Sequence, residues 1–272
     1  MRDREGLDEV EQIVANVGAA AKYRRVCPRT VQRLAAEEWA RHHHLKRAIK
    51  ATKSRLHQVY SAYESPVDYD RGTRLLEAAY AVGTPQAVRQ ACRTILALHT
   101  STRERLPILD RFYADLYAYT GTPRTLLDLA CGLNPLSHPW MGLPPGVAYH
   151  AYDIDTERIA FLDRYLALAG AEAHAHLQDI LCDPPTERAD VALLLKSSTC
   201  LERQRKGSTL ALLDRLDVSH VVVTFPVKSL GQREKGMPEH YQHAFLEMVS
   251  GRPWPVTRFA FATELAFVVS KG

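Results

Sequence analysis

Three acidic residues mark the ends of successive apolar runs in the second half of the chain. Asp128 lies in TLLDLAC, Asp153 closes VAYHAYD about 20 residues beyond the following loop, and Asp179 follows HAHLQ. At strand ends, the second carboxylate is placed to accept hydrogen bonds from ribose hydroxyls. The third has an apolar neighbour and suits an adenine amino group. The trio therefore predicts a site for an adenosine-containing ligand.

The loop after the first apolar run, DLACGLNP, contains one glycine, Gly132. Dinucleotide loops contain three, which let a pyrophosphate rest on a helix N-terminus. A single close backbone approach suits a ligand without phosphate, and S-adenosylmethionine is such a ligand. We expect Ile154, Ile180 and Leu195 to form apolar walls. Arg105, in TSTRERLP, is placed to bind the carboxylate of S-adenosylmethionine, the methyl donor, through two hydrogen bonds. Solvation on a helix surface would also explain this arginine.

The segment that follows the fifth apolar run, FPVKSLGQREKGM, carries three cations and two glycines. A loop after a strand overhangs the ligand site, so its cations are placed to hold phosphates beside a target nucleotide. A mobile surface loop is the alternative interpretation. The cations are Lys228, Arg233 and Lys235.

Asp183-Pro184-Pro185 is similar to a signature of amino-group methyltransferases. However, Thr186 stands where that signature has an aromatic residue, and the triplet follows the third run rather than the fourth. We therefore interpret it as a loop turn. The fourth run instead ends at Lys196.

Basic residues are concentrated near the N-terminus. The chain has a formal net charge of +4, and residues 22–55 hold 11 Lys and Arg against 2 Asp and Glu. Such a density favours nucleic-acid binding over a merely solvated helix face. The cations predicted to contact RNA in this segment are Lys22, Arg24, Arg25, Lys46, Arg47, Lys50, Lys53 and Arg55.

The hydrophobic pattern divides the chain into two parts. Up to about residue 120 it has helical spacing, and beyond Pro123 short apolar runs alternate with helical stretches. Alternation of this kind predicts a parallel, doubly wound sheet. The last run, RFAFATELAFVVS, is broken too briefly for a crossover helix, so its halves should pair antiparallel. We predict a basic helical subdomain over 1–102 and a Rossmann-like methyltransferase domain over 103–272.

Smaller predictions complete this outline. One helix should span about 104–119, and Asn134 should cap the helix that follows the glycine loop. Five cysteines, an odd number without a CxxC pair, indicate a reduced cytoplasmic chain with no metal site. We find neither a signal peptide nor an apolar run near the roughly 18 residues that span a membrane. We expect a monomer.

Several strings resemble the aminoglycoside-resistance 16S rRNA methyltransferases, which methylate N7 of guanine 1405 in the decoding-site helix. They are DLACGLNP, HTSTRERLP, LLLK followed by CLE, and FPVKSLGQREKGM, the most specific. The resemblance runs from the basic helices to the final hairpin. It departs at Ser197-Ser198-Thr199, where relatives often have an apolar stretch with proline.

The resemblance implies methyl transfer from S-adenosylmethionine to 16S rRNA in the assembled 30S subunit, with aminoglycoside resistance as the consequence. It assigns the donor to Arg105, Gly132, Asp153, Asp179 and Ile180, and the target side to Lys196 and Arg233. Guanine N7 has an available lone pair, so we expect positioning without a general base. A cation close to a base that becomes positively charged is unfavourable, so Lys196 should hold phosphate.

Three alternatives stay open at this point. The first is an rRNA methyltransferase acting on adenine N1 in the same helix, which the strings oppose. The second is a non-catalytic RNA-binding protein on a degenerate methyltransferase core. The third is a nicotinamide-dependent oxidoreductase, which the missing glycine triplet opposes.

Overall fold

The described residues form a helical cluster followed by a seven-stranded sheet with helices on both faces. The structure is a computed structural model that describes residues 2–60, 67–170, 172–227 and 237–272. The helices are α1 (Arg2–Gly18), α2 (Pro28–His42), α3 (Leu45–Val59), α4 (Tyr69–Val82), α5 (Pro85–Leu96), α6 (Thr100–Arg105), α7 (Leu109–Thr120), α8 (His138–Met141), α9 (Thr156–Leu168), α10 (Ser198–Gln204), α11 (Ser208–Arg215) and α12 (Met237–Val249). The strands are β1 (Thr125–Leu129), β2 (Ala148–Asp153), β3 (Glu172–Leu177), β4 (Ala189–Leu195), β5 (Val218–Pro226), β6 (Val256–Ala260) and β7 (Glu264–Ser270).

Helices α1, α2 and α3, which we call the helical front, share a small core. Ile13, Leu34 and Leu56, one from each helix, are fully buried there. Pro28 begins α2, where its missing N–H would be unpaired in any case. Apart from Glu38 of α2, which is buried, the charged residues described on these helices are at least partly exposed. The front thus buries one apolar stripe from each helix and exposes most of its cations.

The single helix predicted over about 104–119 is two helices in the structure. A 3₁₀ turn at Leu106–Ile108 separates α6 from α7. Pro107 lies within that turn, and a proline lacks the N–H that an α-helix interior requires. The break falls directly after Arg105, the last residue of α6.

The sheet has the strand order β3-β2-β1-β4-β5-β7-β6. Strands β1 to β5 are parallel, whereas β7 runs antiparallel to both β5 and β6. The predicted parallel sheet with a terminal antiparallel hairpin is therefore confirmed. From β1 the chain moves outward to β3 and then returns to place β4 on the other side of β1. Ligands bind beside such a switch in strand order.

Hydrophobic packing separates the front from all later helices. Helices α4 and α5, which the sequence analysis groups with the helical subdomain, share a core with the sheet through residues such as Leu76 and Cys92. Gly72 in α4 allows close packing on α9, because a Cβ there would lie 3.1 Å from the Phe161 ring. The boundary between the two cores thus lies between α3 and α4 rather than at residue 102. An amphipathic pattern shows that a helix has an apolar face, but not which core that face covers.

None of the described helices is both long enough and apolar enough to cross a membrane.

Candidate active site

A cavity of about 530 Å³ opens at the carboxyl ends of β1 to β5. It lies beside the switch between β1 and β4, and its volume is within the usual range for small-molecule sites. The helical front closes one side of it with Thr30, Arg33 and Tyr60. The cavity is therefore shared by the sheet and the front.

Backbone strain is present where two central strands end. Ala130, directly after β1, has φ +50°, and Lys196, directly after β4, has φ +57°. This left-handed conformation costs a non-glycine residue about 1–2 kcal/mol, and such strain clusters at functional sites. Gly132 adopts φ +55°, and a Cβ on it would point to within 3.7 Å of His99, another cavity residue. Glycine therefore turns the loop and leaves that space open.

The prediction that Asn134 caps a helix is wrong. Asn134 begins a short 3₁₀ turn, but its side chain forms no cap bond and is buried. Its Nδ2 donates to Asp128 at 2.9 Å, and its Oδ1 accepts from Arg105 at 2.8 Å and from Tyr113 at 2.7 Å. Because a buried amide must satisfy its polar atoms, this side chain pairs inward. It joins β1 to α6 and α7.

Asp153 ends β2 and lines the cavity. Most of its capacity to accept hydrogen bonds is already used by the protein. Oδ2 accepts the Gly132 N–H at 2.9 Å, and Oδ1 accepts the Asp155 N–H at 3.0 Å and Arg158 Nη1 at 2.9 Å. An ionised carboxylate has about four lone-pair sites. Oδ2 therefore keeps a site that can receive a ribose hydroxyl, in a rigid orientation set by three donors.

Asp179 follows β3 and is held by a residue of the helical front. Arg33 donates to its Oδ2 from Nε at 3.1 Å and from Nη2 at 3.0 Å, and the Leu181 N–H donates to Oδ1 at 3.0 Å. Asp179 and the adjacent Ile180 are both buried and line the cavity. The acid predicted to meet adenine thus depends on the front for its orientation.

Arg105, predicted to clamp the donor carboxylate, lines the cavity but is engaged with a carboxylate of the protein. Its Nη2 lies 2.7 Å from Glu264 Oε1 and its Nε 3.0 Å from Oε2. Burial alone would raise the pKa of Glu264, but Arg105 and Lys196 outweigh it and hold this pKa below its usual value. Two of the five guanidinium N–H groups of Arg105 form no hydrogen bond to the described residues. The predicted contact with the carboxylate of S-adenosylmethionine stays a prediction.

Lys196 is also directed toward the protein. Its Nζ donates to Glu104 at 2.9 Å and to the Ser101 carbonyl at 3.1 Å, and it lies 3.4 Å from Glu264. The ammonium therefore ties the end of β4 to α6 between two carboxylates. Its predicted contact with a target phosphate stays a prediction, and it would require one of these pairings to open.

Asp128 lies beneath the cavity and is fully buried. Burial raises its pKa to about 7, although Tyr149 and Asn134 both donate to its Oδ2. Its Oδ1 has no hydrogen-bond partner among the described residues. The network that joins Asp128, Asn134 and Arg105 thus links β1 to β7 through Glu264.

The three apolar residues predicted to form the walls of the site lie at the cavity, and their contact with a ligand stays a prediction. Ile154, Ile180 and Leu195 all line the cavity. The Asp183-Pro184-Pro185 triplet lies in a turn and loop, which confirms that interpretation. Lys228, Arg233 and Lys235 lie outside the described residues.

Three further contacts fasten the helical front to the sheet. The Cys27 N–H donates to the Ile154 carbonyl at 2.7 Å, and the Tyr60 hydroxyl donates to Asp155 at 2.7 Å. Arg55 donates to the Gln204 carbonyl, at the end of α10, at 2.9 Å and pairs with two glutamates of α2, and its predicted contact with RNA stays a prediction. The front thus meets the segments that carry both cavity carboxylates.

The other cations predicted to contact RNA lie toward solvent. Lys53 is half-buried and donates to Asn16, and Arg25 pairs with Glu157 at 2.7 Å while staying exposed. The remaining members of the set are exposed: Lys22, Arg24, Lys46, Arg47 and Lys50. Their contact with RNA stays a prediction.

The fold and the strand-end site together define an S-adenosylmethionine-dependent methyltransferase. The ribosomal RNA methyltransferase (FmrO) family matches residues 19–268, and the chain belongs to that family. It is similar to "16S rRNA (guanine(1405)-N(7))-methyltransferase" of Micromonospora echinospora, with 41% identity over 97% of each chain. The protein of the same name in Frankia casuarinae is 41% identical over 96% of this chain and 94% of the relative. The crystal structure of 16S rRNA methyltransferase RmtF in complex with S-adenosyl-L-homocysteine has a TM-score of 0.80 and 34% identity over 97% of this chain and 98% of that one.

Sequence reasoning missed three residues that organise this site. Arg33 and Arg158 form ion pairs with the two cavity carboxylates, Asp179 and Asp153. Glu264 forms ion pairs with both Arg105 and Lys196, at the ends of α6 and β4. Arg158 lies five residues after Asp153, in the helix that follows β2. This short spacing was the one local indication that the two side chains could pair. Arg33 and Glu264 are distant in the chain from their partners, so spacing gave no indication of either contact.

Proposed function

We propose that this protein transfers the methyl group of S-adenosylmethionine to N7 of guanine 1405 of 16S rRNA, in the assembled 30S subunit. The observation that carries the proposal is similarity over nearly the whole chain to proteins named for that reaction. We further propose that the enzyme acts as a monomer in the cytoplasm, where ribosomal subunits are its substrate.

The cavity residues fit the methyl donor. Two carboxylates, Asp153 and Asp179, each retain acceptor capacity and lie at neighbouring strand ends beside the apolar side chains Ile154 and Ile180. These groups suit the ribose and the adenine of one adenosine, and Arg105 would meet the carboxylate at the other end of the ligand. When bound, the donor supplies an electrophilic methyl group on a sulfonium.

The chemistry requires alignment more than proton transfer. Guanine N7 carries an available lone pair, so its attack on a methyl carbon needs no base to remove a proton. Holding the reactants in line contributes to rate by converting a bimolecular encounter into an intramolecular step. Lys196 and Arg233 are proposed to position the target nucleotide through its phosphates. The three hydrogen bonds that the protein donates to each of Asp153 and Asp179 favour a preorganised donor site.

The helical front is proposed to dock on the folded particle. Its exposed cations would approach rRNA phosphates while the same helices close the donor cavity. Since these cations are spread over several segments, they match a folded RNA surface better than a short single strand. We therefore expect naked 16S rRNA to be a poor substrate.

The test combines purified 30S subunits, labelled S-adenosylmethionine and borohydride–aniline scission, which cuts RNA at N7-methylguanine. We expect one new cleavage at guanine 1405 and label in 16S rRNA only. Label without cleavage, mapped to an adenine, would favour N1 methylation instead. No incorporation, together with calorimetry that shows no donor binding, would favour a non-catalytic RNA-binding protein. Equal methylation of naked 16S rRNA would contradict the docking proposal alone.

Aminoglycoside resistance follows from the modification. Methylation at N7 removes a hydrogen-bond acceptor from the guanine and leaves a positive charge on it. A polycationic aminoglycoside is repelled by that charge at the same groove. Expression in a susceptible bacterium should therefore raise the inhibitory concentration of aminoglycosides that bind there, and Asp153→Ala should abolish that increase.

A further inference from the structure

Three metal-ligating side chains meet on the sheet face opposite α9, outside the donor cavity. His150 lies on β2, His176 on β3 and Glu187 just before β4. One ligand atom of each lies within 4.8 Å of the other two. Within the described part of the chain, this is the single group of three such residues.

The two imidazoles already have the separation that a shared metal ion requires. His150 Nδ1 and His176 Nε2 are 3.3 Å apart and share a hydrogen bond, which a metal ion bound to both nitrogens would replace. Two nitrogens bound tetrahedrally to one zinc ion at about 2.0–2.1 Å lie about 3.4 Å from each other. The Tyr152 ring stacks on His176 with centroids 4.6 Å apart and an interplanar angle of 13°, which holds that imidazole in place. Binding would therefore need the shared proton to leave and the rings to rotate toward a common point, but little change in the separation of the two nitrogens.

The connection between β3 and β4 leaves this cluster accessible. Parallel strands are usually joined through a helix, whereas residues 178–188, all of them described, are turn and loop. The connection between β3 and β4 therefore places no helix over this face, and both imidazoles and Glu187 are half-buried. His174, in register with His150, is exposed, and its ring centroid lies 6.0 Å from that of His150.

We propose that His150, His176 and Glu187 bind one zinc ion, with water or His174 completing the coordination. Imidazole nitrogens and one carboxylate are ligands that zinc prefers, whereas magnesium and calcium favour all-oxygen sites. The ion would join β2, β3 and the loop that leads from Asp179 to β4. It would thus stabilise the sheet edge that carries the adenine side of the donor cavity. Cysteine spacing gives no sign of such a site, because none of its ligands is a cysteine. Histidine spacing gives none either, because the two histidines are 26 residues apart in the chain.

The test uses the tag-free, full-length protein after treatment with a chelator. Equilibrium dialysis against ZnCl₂, read by elemental mass spectrometry, should give one zinc per chain, and zinc should raise the thermal unfolding temperature. Substitution by Co²⁺ should give a visible spectrum without a thiolate charge-transfer band, because the ligands are nitrogen and oxygen. A thiolate band, or fewer than about one ion per chain at saturation, would overturn the proposal.

Variants locate the ion. His150→Asn and His176→Asn should each lose stoichiometric binding, and the milder Glu187→Gln should weaken zinc affinity about tenfold or more. His220→Asn changes a half-buried histidine on β5 and should bind zinc as the wild type does. The unfolding temperature of each chelated variant, compared with that of the chelated wild type, separates lost folding from lost binding. Unchanged affinity in all three cluster variants, or equal loss in His220→Asn, would refute the site.

Discussion

The donor side of the cavity and the helical front hold their charged side chains in opposite ways. On the donor side, Asp153 and Asp179 are buried and accept three hydrogen bonds each from the protein. On the front, Lys46, Arg47 and Lys50 are exposed. Asp153 and Asp179 are therefore each held in one geometry and have individual roles. The cations of the front act mainly through their summed charge. Single substitutions should have large effects on the first side and small effects on the second.

The largest effect is expected from Asp153→Ala. It removes the proposed ribose acceptor and leaves Arg158, a buried cation, without its closest carboxylate. Breaking a buried pair in this way costs about 3–5 kcal/mol. Calorimetry should show at least a hundredfold loss of S-adenosylmethionine affinity, together with a lower unfolding temperature. Asp163→Ala, an exposed aspartate of α9, is the matched control. Donor binding within threefold of the wild type would show that Asp153 is structural only.

Glu264→Gln should have the next largest effect, mainly on stability. The carboxylate is fully buried and neutralises both Arg105 and Lys196. The amide leaves two buried cations with less compensation, so the free energy of unfolding should fall by about 3 kcal/mol or more. Urea unfolding followed by circular dichroism measures this. Glu247→Gln, exposed on α12, should change it by less than about 0.5 kcal/mol. Equal stability of the two variants would mean that the network is dispensable.

Glu264 also shows where prediction from the sequence ends. The carboxyl ends of parallel strands meet at one edge, so Gly132, Asp153, Asp179 and their apolar neighbours could be placed together from spacing alone. The terminal hairpin followed from one short break in an apolar run. Glu264, however, reaches Arg105 across 159 positions of the chain, and pairing over that distance depends on tertiary packing.

Residue type alone did not reveal the contacts that Asn134 and Arg55 make within the protein. Asn134 has the residue type of a helix cap, but its side chain is taken by a buried network that local sequence does not show. Arg55 has the type and neighbourhood of an RNA contact, and its residue type does not show that it also joins α3 to α10. Residue type indicates what a side chain can bind, whereas burial and neighbours decide what it does bind.

Arg33→Ala tests whether the front shapes the donor side. Asp179 would lose two of the three hydrogen bonds that it accepts. The affinity for S-adenosylmethionine should therefore fall about tenfold, or about 1.4 kcal/mol. Arg29→Ala, an exposed arginine on the same helix, is the control. Calorimetry with S-adenosylmethionine reads both variants. If Arg33→Ala binds the donor like Arg29→Ala, the two regions are mechanically independent.

Asp128→Asn should change how stability depends on pH. The folded-state pKa of about 7 is above the usual value near 3.9, so between about pH 4 and pH 7 the unfolded chain has released a proton that the folded chain keeps. Stability from this group is therefore lost as pH rises through that window. The substitution should make the slope of unfolding free energy less negative by up to about 1.4 kcal/mol per pH unit. Urea titrations at pH 4.5, 5.5 and 6.5 measure the slope, and identical slopes would show that Asp128 is ionised when folded.

The smallest effects are expected from single substitutions of the front's exposed cations. Lys46→Ala, Arg47→Ala and Lys50→Ala should each lower the initial rate of 30S methylation about two- to threefold at subsaturating 30S, and each should reduce the salt slope of binding by about one if it contacts a phosphate. Donor affinity should be unchanged, because none of the three lines the cavity. Arg215→Ala, an exposed cation of α11, should alter neither rate nor slope. A hundredfold loss from one of the three would mean that a single cation is individually required, and the contrast between the two regions would then fail.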